Sequence, residues 1–260
     1  MSAIRTIRLD LQYDGTDFVG WQIQQNGRSV QGELARALQQ ILQEISLVPI
    51  GSGRTDAGTH ALGQVAHFQT QSQHSSEQIY RALNSLLPPD ISVSSVHEVD
   101  NCFHARYSAV SKRYRYRIST VKAPIKRRWV WTIHRRLDFD AMQEAGELFK
   151  GSHEFYAFCN QHPVPKSFSC TILDCNWKIC DAELQFVIEG NRFLRHMVRI
   201  MVGTMVEVGL GRRNSNLSIP LKAKLDSNDV SLATIRKQAG PTAPAHGLCL
   251  VEVNYGDQSC

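Results

Sequence analysis

A stretch at residues 51–60 combines a carboxylate with very little side-chain bulk. It contains three glycines, one alanine and three small hydroxyl residues, and its ionisable groups besides His60 are Arg54 and Asp56. Because glycine has no Cβ and adopts positive φ, a large ligand can approach the backbone of such a stretch closely. Asp56 is therefore a candidate catalytic group. The plainer alternative is a hairpin turn in which the aspartate bonds its own backbone.

Residues 101–137 form a second notable region, which we call the basic segment. It contains eleven lysines and arginines and no acidic residue, whereas the formal charge of the whole chain is only +5. Aromatic residues are interleaved with these charges: Tyr107, Tyr114, Tyr116, Trp129 and Trp131. This mixture suits phosphate contact combined with base stacking, so it favours RNA as a partner. A solvated charged surface is the alternative.

Cysteine usage predicts a reducing compartment and a cytoplasmic location. The seven cysteines are an odd number, and no signal-peptide pattern precedes them. Cys170, Cys175 and Cys180 are separated by four residues each, not by the two residues of a zinc knuckle, so we expect structural thiols. The most apolar run, 194–210, carries charged side chains and predicts a core helix rather than a membrane span.

Hydrophobic periodicity predicts an α+β fold. Residues 4–99 have the order β-α-β-β-α-β of the ferredoxin-like unit, with helix starts at Ser29 and Ser75. The remainder repeats this order loosely, with a helix start at Asp138, a hairpin near Asp181 and a closing strand at 247–253. We therefore expect two ferredoxin-like halves, 1–108 and 109–260, joined into one largely antiparallel sheet with a central RNA-binding cleft. Residues 212–228 fit poorly and are interpreted as an insertion.

A predicted helix at 192–208 carries Arg192, Arg195 and Arg199 at spacings that place them on one face. An arginine on a largely apolar helix is costly unless it is paired. Arg199 lies deepest in the apolar sequence and most needs a carboxylate partner. An ordinary structural salt bridge would satisfy it equally well.

Five motifs now carry a family resemblance. They are GRTDAG at 53–58, FHAR at 103–106, KRYRY at 112–116, FLRHMVR at 193–199 and APAHGL at 243–248. In this order, and over nearly the whole chain, they resemble the tRNA pseudouridine synthase A family. Each motif alone would be weak, but five in register are specific.

The resemblance implies a homodimeric enzyme that isomerises uridine to pseudouridine in the anticodon stem-loop of tRNA (nucleotide positions 38–40). It implies no cofactor, no metal and no membrane. It makes Asp56 the nucleophile, Arg199 the cation paired with it, and Tyr114 the aromatic that stacks on the substrate and is a candidate for proton abstraction. Arg54 would help to hold or replace the displaced base. Further candidates for substrate binding in these motifs are Arg106, Lys112 and Arg113.

The implied chemistry suits these residue types. Moving the glycosidic bond from N1 to C5 of uracil changes no oxidation state and needs no donated group. It needs an ionised carboxylate, and an adjacent guanidinium opposes the rise in pKa that burial would cause. Two rivals are a non-catalytic pair of RRM-like RNA-binding units and a nucleotide-dependent RNA-modifying enzyme. The strand at 63–68 has a single aromatic residue, which argues against the first, and no phosphate-binding glycine pattern supports the second.

Overall fold

The computed structural model describes residues 3–160, 164–181, 183–217 and 231–256. The fold is α+β, with largely antiparallel strand pairing and few helices, which confirms the predicted class. Two compact units make up the chain: a first unit of Met1–Val110 with Cys249–Cys260, and a second unit of Ser111–Leu248. None of the helices in the described ranges is both long enough and apolar enough to cross a membrane.

In chain order the strands are β1 (Arg5–Tyr13), β2 (Ile50–Gly51), β3 (His60–Thr70), β4 (Ile91–Val99), β5 (Ser111–Ser119), β6 (Trp131–Thr132), β7 (Gly151–Glu154), β8 (Ser169–Cys180), β9 (Glu183–Gly190) and β10 (Leu248–Asn254). The described helices are α1 (Val30–Leu42), α2 (Ser76–Leu86), α3 (Phe139–Glu147), α4 (Met197–Gly209) and α5 (Leu232–Arg236). Most of the predicted insertion, residues 218–228, lies outside the described residues.

The first unit is built around β1 and β3. Alternate residues Ile7, Leu9 and Leu11 of β1 are fully buried, as their period of two predicts. Strand β1 pairs antiparallel with β4 on one side and with β3 on the other. Strand β3 also pairs antiparallel with the short β2 and parallel with β10. The predicted closing strand therefore forms, and it contributes to the first unit.

Local capping signals set the starts of several helices. The Ser29 hydroxyl accepts a hydrogen bond from Gly32 N at the start of α1. Ser75 and Gln78 form the predicted capping box at the start of α2. In the second unit, the Asp138 carboxylate accepts from Ala141 N at 3.0 Å and begins α3. Each cap satisfies a backbone donor that the first helical turn leaves unpaired.

The second unit contains an antiparallel set in the order β5-β9-β8-β7, with β6 parallel to β5. The β8–β9 hairpin turns at Asp181, as predicted. Cys170 and Cys175 are buried in this unit, and within the described ranges no three His, Cys, Asp or Glu side chains are placed to hold a metal ion.

The predicted start of the arginine helix is wrong. Helix α4 begins at Met197, because His196 adopts a left-handed conformation with φ of 63°. The carbonyl of Arg195 instead accepts a hydrogen bond from Asn160 N at 2.9 Å, a tertiary contact that periodicity does not reveal. Arg192 and Arg195 therefore precede the helix, and they do not share a helical face with Arg199.

His67 on β3 is a buried, neutral histidine in the first unit. Its Nδ1 accepts a hydrogen bond from Ala105 N at 3.2 Å, and its ring lies 4.7 Å from that of His104. Burial, together with the nearby His104, lowers the pKa of His67 to about 4, although a hydrogen bond to the Ile50 carbonyl acts in the opposite direction. Charging this ring therefore disfavours the folded state.

We predict that His67 makes the chain less stable in acid. Below its ordinary pKa of 6.5, the unfolded state binds a proton that the folded state does not bind until about pH 4. The stabilising contribution of neutral His67 is therefore complete above pH 6.5. As the pH falls from 6.5 towards 4, the free energy of unfolding decreases by about 1 kcal/mol per pH unit. Denaturant unfolding from pH 7 to 4.5 measures this loss. His67→Asn, which keeps an acceptor near Nδ1, should flatten the curve relative to wild type.

The matched control is His97→Asn on β4, where the histidine is exposed. This variant should follow the wild-type curve. Parallel curves for wild type and His67→Asn would contradict the assignment.

Candidate active site

Asp56 lies in the loop between β2 and β3. Along this loop the exposure alternates: Arg54 is exposed, Thr55 is buried and Asp56 is half-buried. The carbonyl of Asp56 accepts from Thr59 N at 3.1 Å, which closes a tight turn. The guanidinium of Arg54 and the carboxylate of Asp56 therefore flank a buried residue, Thr55, that anchors the loop.

Thr55 is that anchor, and it uses both its side chain and its backbone. Its hydroxyl shares a hydrogen bond of 2.8 Å with the hydroxyl of Tyr13 on β1. Its carbonyl accepts from Trp21 N at 3.1 Å. Burial raises the pKa of Tyr13 well above its ordinary value, so this hydroxyl keeps its proton. The residue before Asp56 is therefore held at two points.

Gln64 on β3 supports the same loop from below. Its side chain is 0% exposed, and its Nε2 donates to the carbonyl of Gly53 at 3.0 Å. Its Oε1 accepts from the Ser52 hydroxyl at 2.7 Å and from the Val65 backbone N–H at 3.2 Å. Because both polar ends of this amide are bonded, its burial carries no unsatisfied group.

Gly20 allows a second chain segment to lie directly against the loop. It has φ of 106°, and a Cβ at this position would lie 2.6 Å from the Thr55 carbonyl oxygen. Only glycine permits both this conformation and this approach. Gly58 N completes the contact by donating to Phe18 O at 3.2 Å.

In the second unit, Arg199 is held by a backbone segment rather than by its own helix. Its Nε donates to the carbonyl of Ala243 at 2.8 Å, and Ala243 N donates to the carbonyl of Arg199 at 3.0 Å. A Cβ on Gly203 would collide with the carbonyl of Pro241. Helix α4 and the segment at 240–247 are therefore tightly apposed, and this contact orients the guanidinium.

Tyr116 fixes the other side of the same segment. It is 0% exposed, its hydroxyl donates to the carbonyl of Pro244 at 2.7 Å, and its ring packs directly against Gly247. Burial raises the pKa of Tyr116, although the nearby Arg199 acts to lower it. Tyr116 is therefore a core residue, and its ring is not available for base stacking.

Tyr114 lies two residues earlier on the same face of β5. It is 7% exposed, and its ring meets that of Phe193 edge to face at 5.1 Å. Most of the ring is therefore buried, and any substrate contact would use its remaining exposed part. Its predicted role in substrate binding and proton abstraction stays a prediction.

Part of the basic segment is neutralised within the second unit. Arg113 pairs with Glu189 at 2.6 Å, and Arg117 pairs with Glu183 at 2.7 Å. Lys126 also bonds Glu183, at 2.8 Å. Burial acts to raise the pKa of Glu183, but these two hydrogen-bonded cations outweigh it, and its pKa lies below the ordinary value. The predicted contact of Arg113 with substrate would therefore compete with this ion pair.

The candidate residues are divided between the two units. Asp56, Arg54 and Arg106 belong to the first unit. Tyr114, Lys112, Arg113 and Arg199 belong to the second. The pairing of Asp56 with Arg199 stays a prediction, as do the roles of the other residues.

Sequence reasoning missed Tyr13 and Gln64 as supports of the loop. Both lie at positions where β1 and β3 face the core, and both carry a polar group. A polar residue at a core position of a strand needs a bonded partner. A polar side chain at a position where the strand pattern predicts an apolar one therefore indicates a buried hydrogen bond.

We predict an energetic coupling between Tyr13 and Thr55. Tyr13→Phe and Thr55→Val each remove one hydroxyl of the buried 2.8 Å hydrogen bond. Each variant should lose about 1–2 kcal/mol of the free energy of unfolding, and the double variant should lose about 1 kcal/mol less than the sum. Denaturant unfolding of the four proteins measures this. Thr55→Ser, which keeps the hydroxyl, is the matched control, and strict additivity would refute the coupling.

Comparison with known proteins identifies the family. The family model described as tRNA pseudouridine synthase matches residues 11–108 and 145–256, with Tyr114 between the two stretches. Proteins named tRNA pseudouridine synthase A are similar over nearly their full length. That of Acetivibrio thermocellus is 42% identical over 254 residues, covering 97% of this chain and 100% of its own. That of Bacillus pumilus is 42% identical over 252 residues, covering 96% and 98%. This chain belongs to the tRNA pseudouridine synthase family.

Proposed function

We propose that this chain is an isomerase that converts uridine to pseudouridine in tRNA, with Asp56 as the nucleophile. The substrate position we propose is in the anticodon stem-loop. The observation that carries the proposal is the family match, which covers the 53–58 loop and Arg199 and most of the remaining chain. The anchored loop around Asp56 gives that match a physical basis.

The reaction exchanges one glycosidic bond for another and moves one proton. The N1–C1′ bond breaks, the uracil turns, and a C5–C1′ bond forms, while C5 loses a proton and N1 gains one. Asp56 either adds to uracil C6, which keeps the detached base bound to the protein, or displaces uracil from ribose C1′, which keeps the sugar bound. In the first case the Asp56–C6 bond is eliminated after C5 has bonded C1′. In the second case C5 attacks C1′ and displaces Asp56, so either route regenerates the carboxylate. The uridine must first leave its stack, at a cost of a few kcal/mol.

In this mechanism Arg199 keeps Asp56 ionised, and Tyr114 contacts the uracil and removes the C5 proton. Arg54 fills the space that the flipped nucleotide leaves. Support for Arg199 comes from its guanidinium, which the Ala243 carbonyl orients at 2.8 Å. Support for Arg54 comes from its exposure beside Asp56 on an anchored loop.

We further propose that residues 1–108 and 109–260 are ferredoxin-like halves of one sheet with a central cleft for the RNA. In the first unit the order β1-α1-β2-β3-α2-β4, with β3 between β1 and β2, supports this. A homodimer in the cytoplasm, acting without a cofactor, completes the proposal. Arg106, Lys112 and Arg113 then contact phosphates.

A non-catalytic RRM-like binder is disfavoured by β3. An RRM exposes aromatic side chains on this strand for base stacking. Here the five residues 64–68 are all buried, and the one aromatic among them, Phe68, is 3% exposed.

The decisive experiment uses tRNA that carries tritium at C5 of uracil. Isomerisation must release this label to water. Asp56→Asn should reduce the release at least about 1,000-fold, because an amide is a poor nucleophile, while the Kd for tRNA changes little. Asp140→Asn, an equal loss of charge at an exposed position of α3, is the control and should retain activity. If the wild-type protein releases no tritium, the proposed isomerase activity is refuted.

A second prediction concerns Arg199→Lys. Lysine keeps the charge but loses the planar fork and the Nε that donates to Ala243. The kcat for tritium release should fall about 10- to 100-fold with the fold intact. Arg36→Lys on the exposed face of α1 is the matched control. A kcat unchanged by Arg199→Lys would argue against the pairing with Asp56.

A further inference from the structure

The turn at residues 103–108 in the first unit has an unusually well-bonded backbone. The Nδ1 of His104 accepts from both Arg106 N and Tyr107 N at 3.2 Å. The His104 and Ser108 residues bond each other twice, from Ser108 N to the His104 carbonyl and from His104 N to the Ser108 hydroxyl. Ala105 N is bonded to His67, and Phe103 N to the Asp100 carbonyl. Six successive backbone N–H groups therefore have partners.

The centre of this turn is also tied to the last strand region of the first unit. The hydroxyl of Tyr255 donates to the carbonyl of Ala105 at 2.7 Å, and Ala105 itself is fully buried. The loop is thus rigid, although it belongs to no helix or strand.

From this rigid turn Tyr107 extends into solvent. It is 77% exposed, and its ring lies against that of His104, tilted by 33° with centroids 4.3 Å apart. The centroids of the His104 and His67 rings are 4.7 Å apart. The guanidinium of Arg106 lies 5.7 Å from the centre of the Tyr107 ring. A large aromatic side chain is therefore held in a fixed position, supported by a second ring and accompanied by a positive charge.

We propose that Tyr107 is a stacking platform for an unpaired base of the tRNA, distinct from the uridine that is isomerised. This inference rests on the proposed function, which supplies tRNA as the ligand. Every nucleobase offers a π-face to a tyrosine ring, and the Arg106 side chain suits the adjoining phosphate. Because the ring is already in place, little conformational entropy is lost when a base stacks on it. An anticodon loop offers such unpaired bases.

The test compares Tyr107→Leu with Tyr107→Phe. Leucine keeps an apolar side chain but removes the π-face, whereas phenylalanine keeps the ring. Binding of a fluorescent tRNA transcript is measured in the Asp56→Asn background, so that turnover does not interfere. Leucine should raise the Kd about 5- to 100-fold, and phenylalanine should change it less than about twofold. Tyr80→Leu on α2 is the control and should bind as the parent does.

Salt dependence separates stacking from charge. Tyr107→Leu should leave the slope of log Kd against log salt concentration unchanged, whereas Arg106→Gln should reduce its magnitude by about 1. A single abasic site, placed in turn at each position of the anticodon loop, should locate the base. At one position the abasic site should weaken binding to the parent protein, but it should cause little further loss of affinity for Tyr107→Leu.

The outcomes distinguish this inference from the proposed activity. If Tyr107→Leu binds tRNA as tightly as the parent, or if Tyr107→Phe loses as much affinity as Tyr107→Leu, stacking by Tyr107 is refuted. Tritium release by the wild-type protein is measured separately. If tritium is not released but tRNA binding still depends on Tyr107, the isomerase activity is refuted and base stacking by Tyr107 is supported.

Discussion

Thr55 is the residue on which the candidate nucleophile depends. Its hydroxyl bonds Tyr13 and its carbonyl bonds Trp21 N, so the peptide that leads into Asp56 cannot shift without breaking buried hydrogen bonds. Leaving such a group unpaired costs about 1–3 kcal/mol. Gly20 adds a steric limit, since its approach to Thr55 leaves no room for a Cβ. A carboxylate on this loop is thus positioned before substrate arrives, which lowers the entropic part of an activation barrier.

In the second unit, the guanidinium of Arg199 is also positioned by a hydrogen bond to a fixed backbone segment. Arg199 donates to the carbonyl of Ala243, and Tyr116 donates to the carbonyl of Pro244, the next residue. Close contact at Gly203 holds this segment against α4. In both units a neutral hydrogen-bonding partner fixes the position of the candidate charged residue, through the neighbouring Thr55 in the first unit and directly at Arg199 in the second.

The parts of the fold that were predictable depend on local chemistry. The caps at Ser75 and Asp138 act within one helical turn, so their residue types and spacing are sufficient evidence. The start of α4 was not predictable, because a hydrogen bond from the distant Asn160 competes with helix formation at 192–196. Asp56 stood out through the small residues around it. Tyr13 and Gln64 did not, because the network they complete joins segments that are far apart in the sequence.

In the basic segment, the number of lysines and arginines overstates the positive charge that is available to bind RNA phosphates. Arg113 lies directly across from Glu189, and Arg117 lies diagonally across from Glu183, so these two ion pairs join β5 to β9. An arginine paired in this way releases few counterions when a phosphate approaches, since its charge is already compensated. Arg106 differs, because it is exposed and stands beside an aromatic ring, and no carboxylate in the described part of the chain forms an ion pair with it. Affinity for a polyanion should therefore follow the exposed cations on rigid turns, not the total number of basic residues.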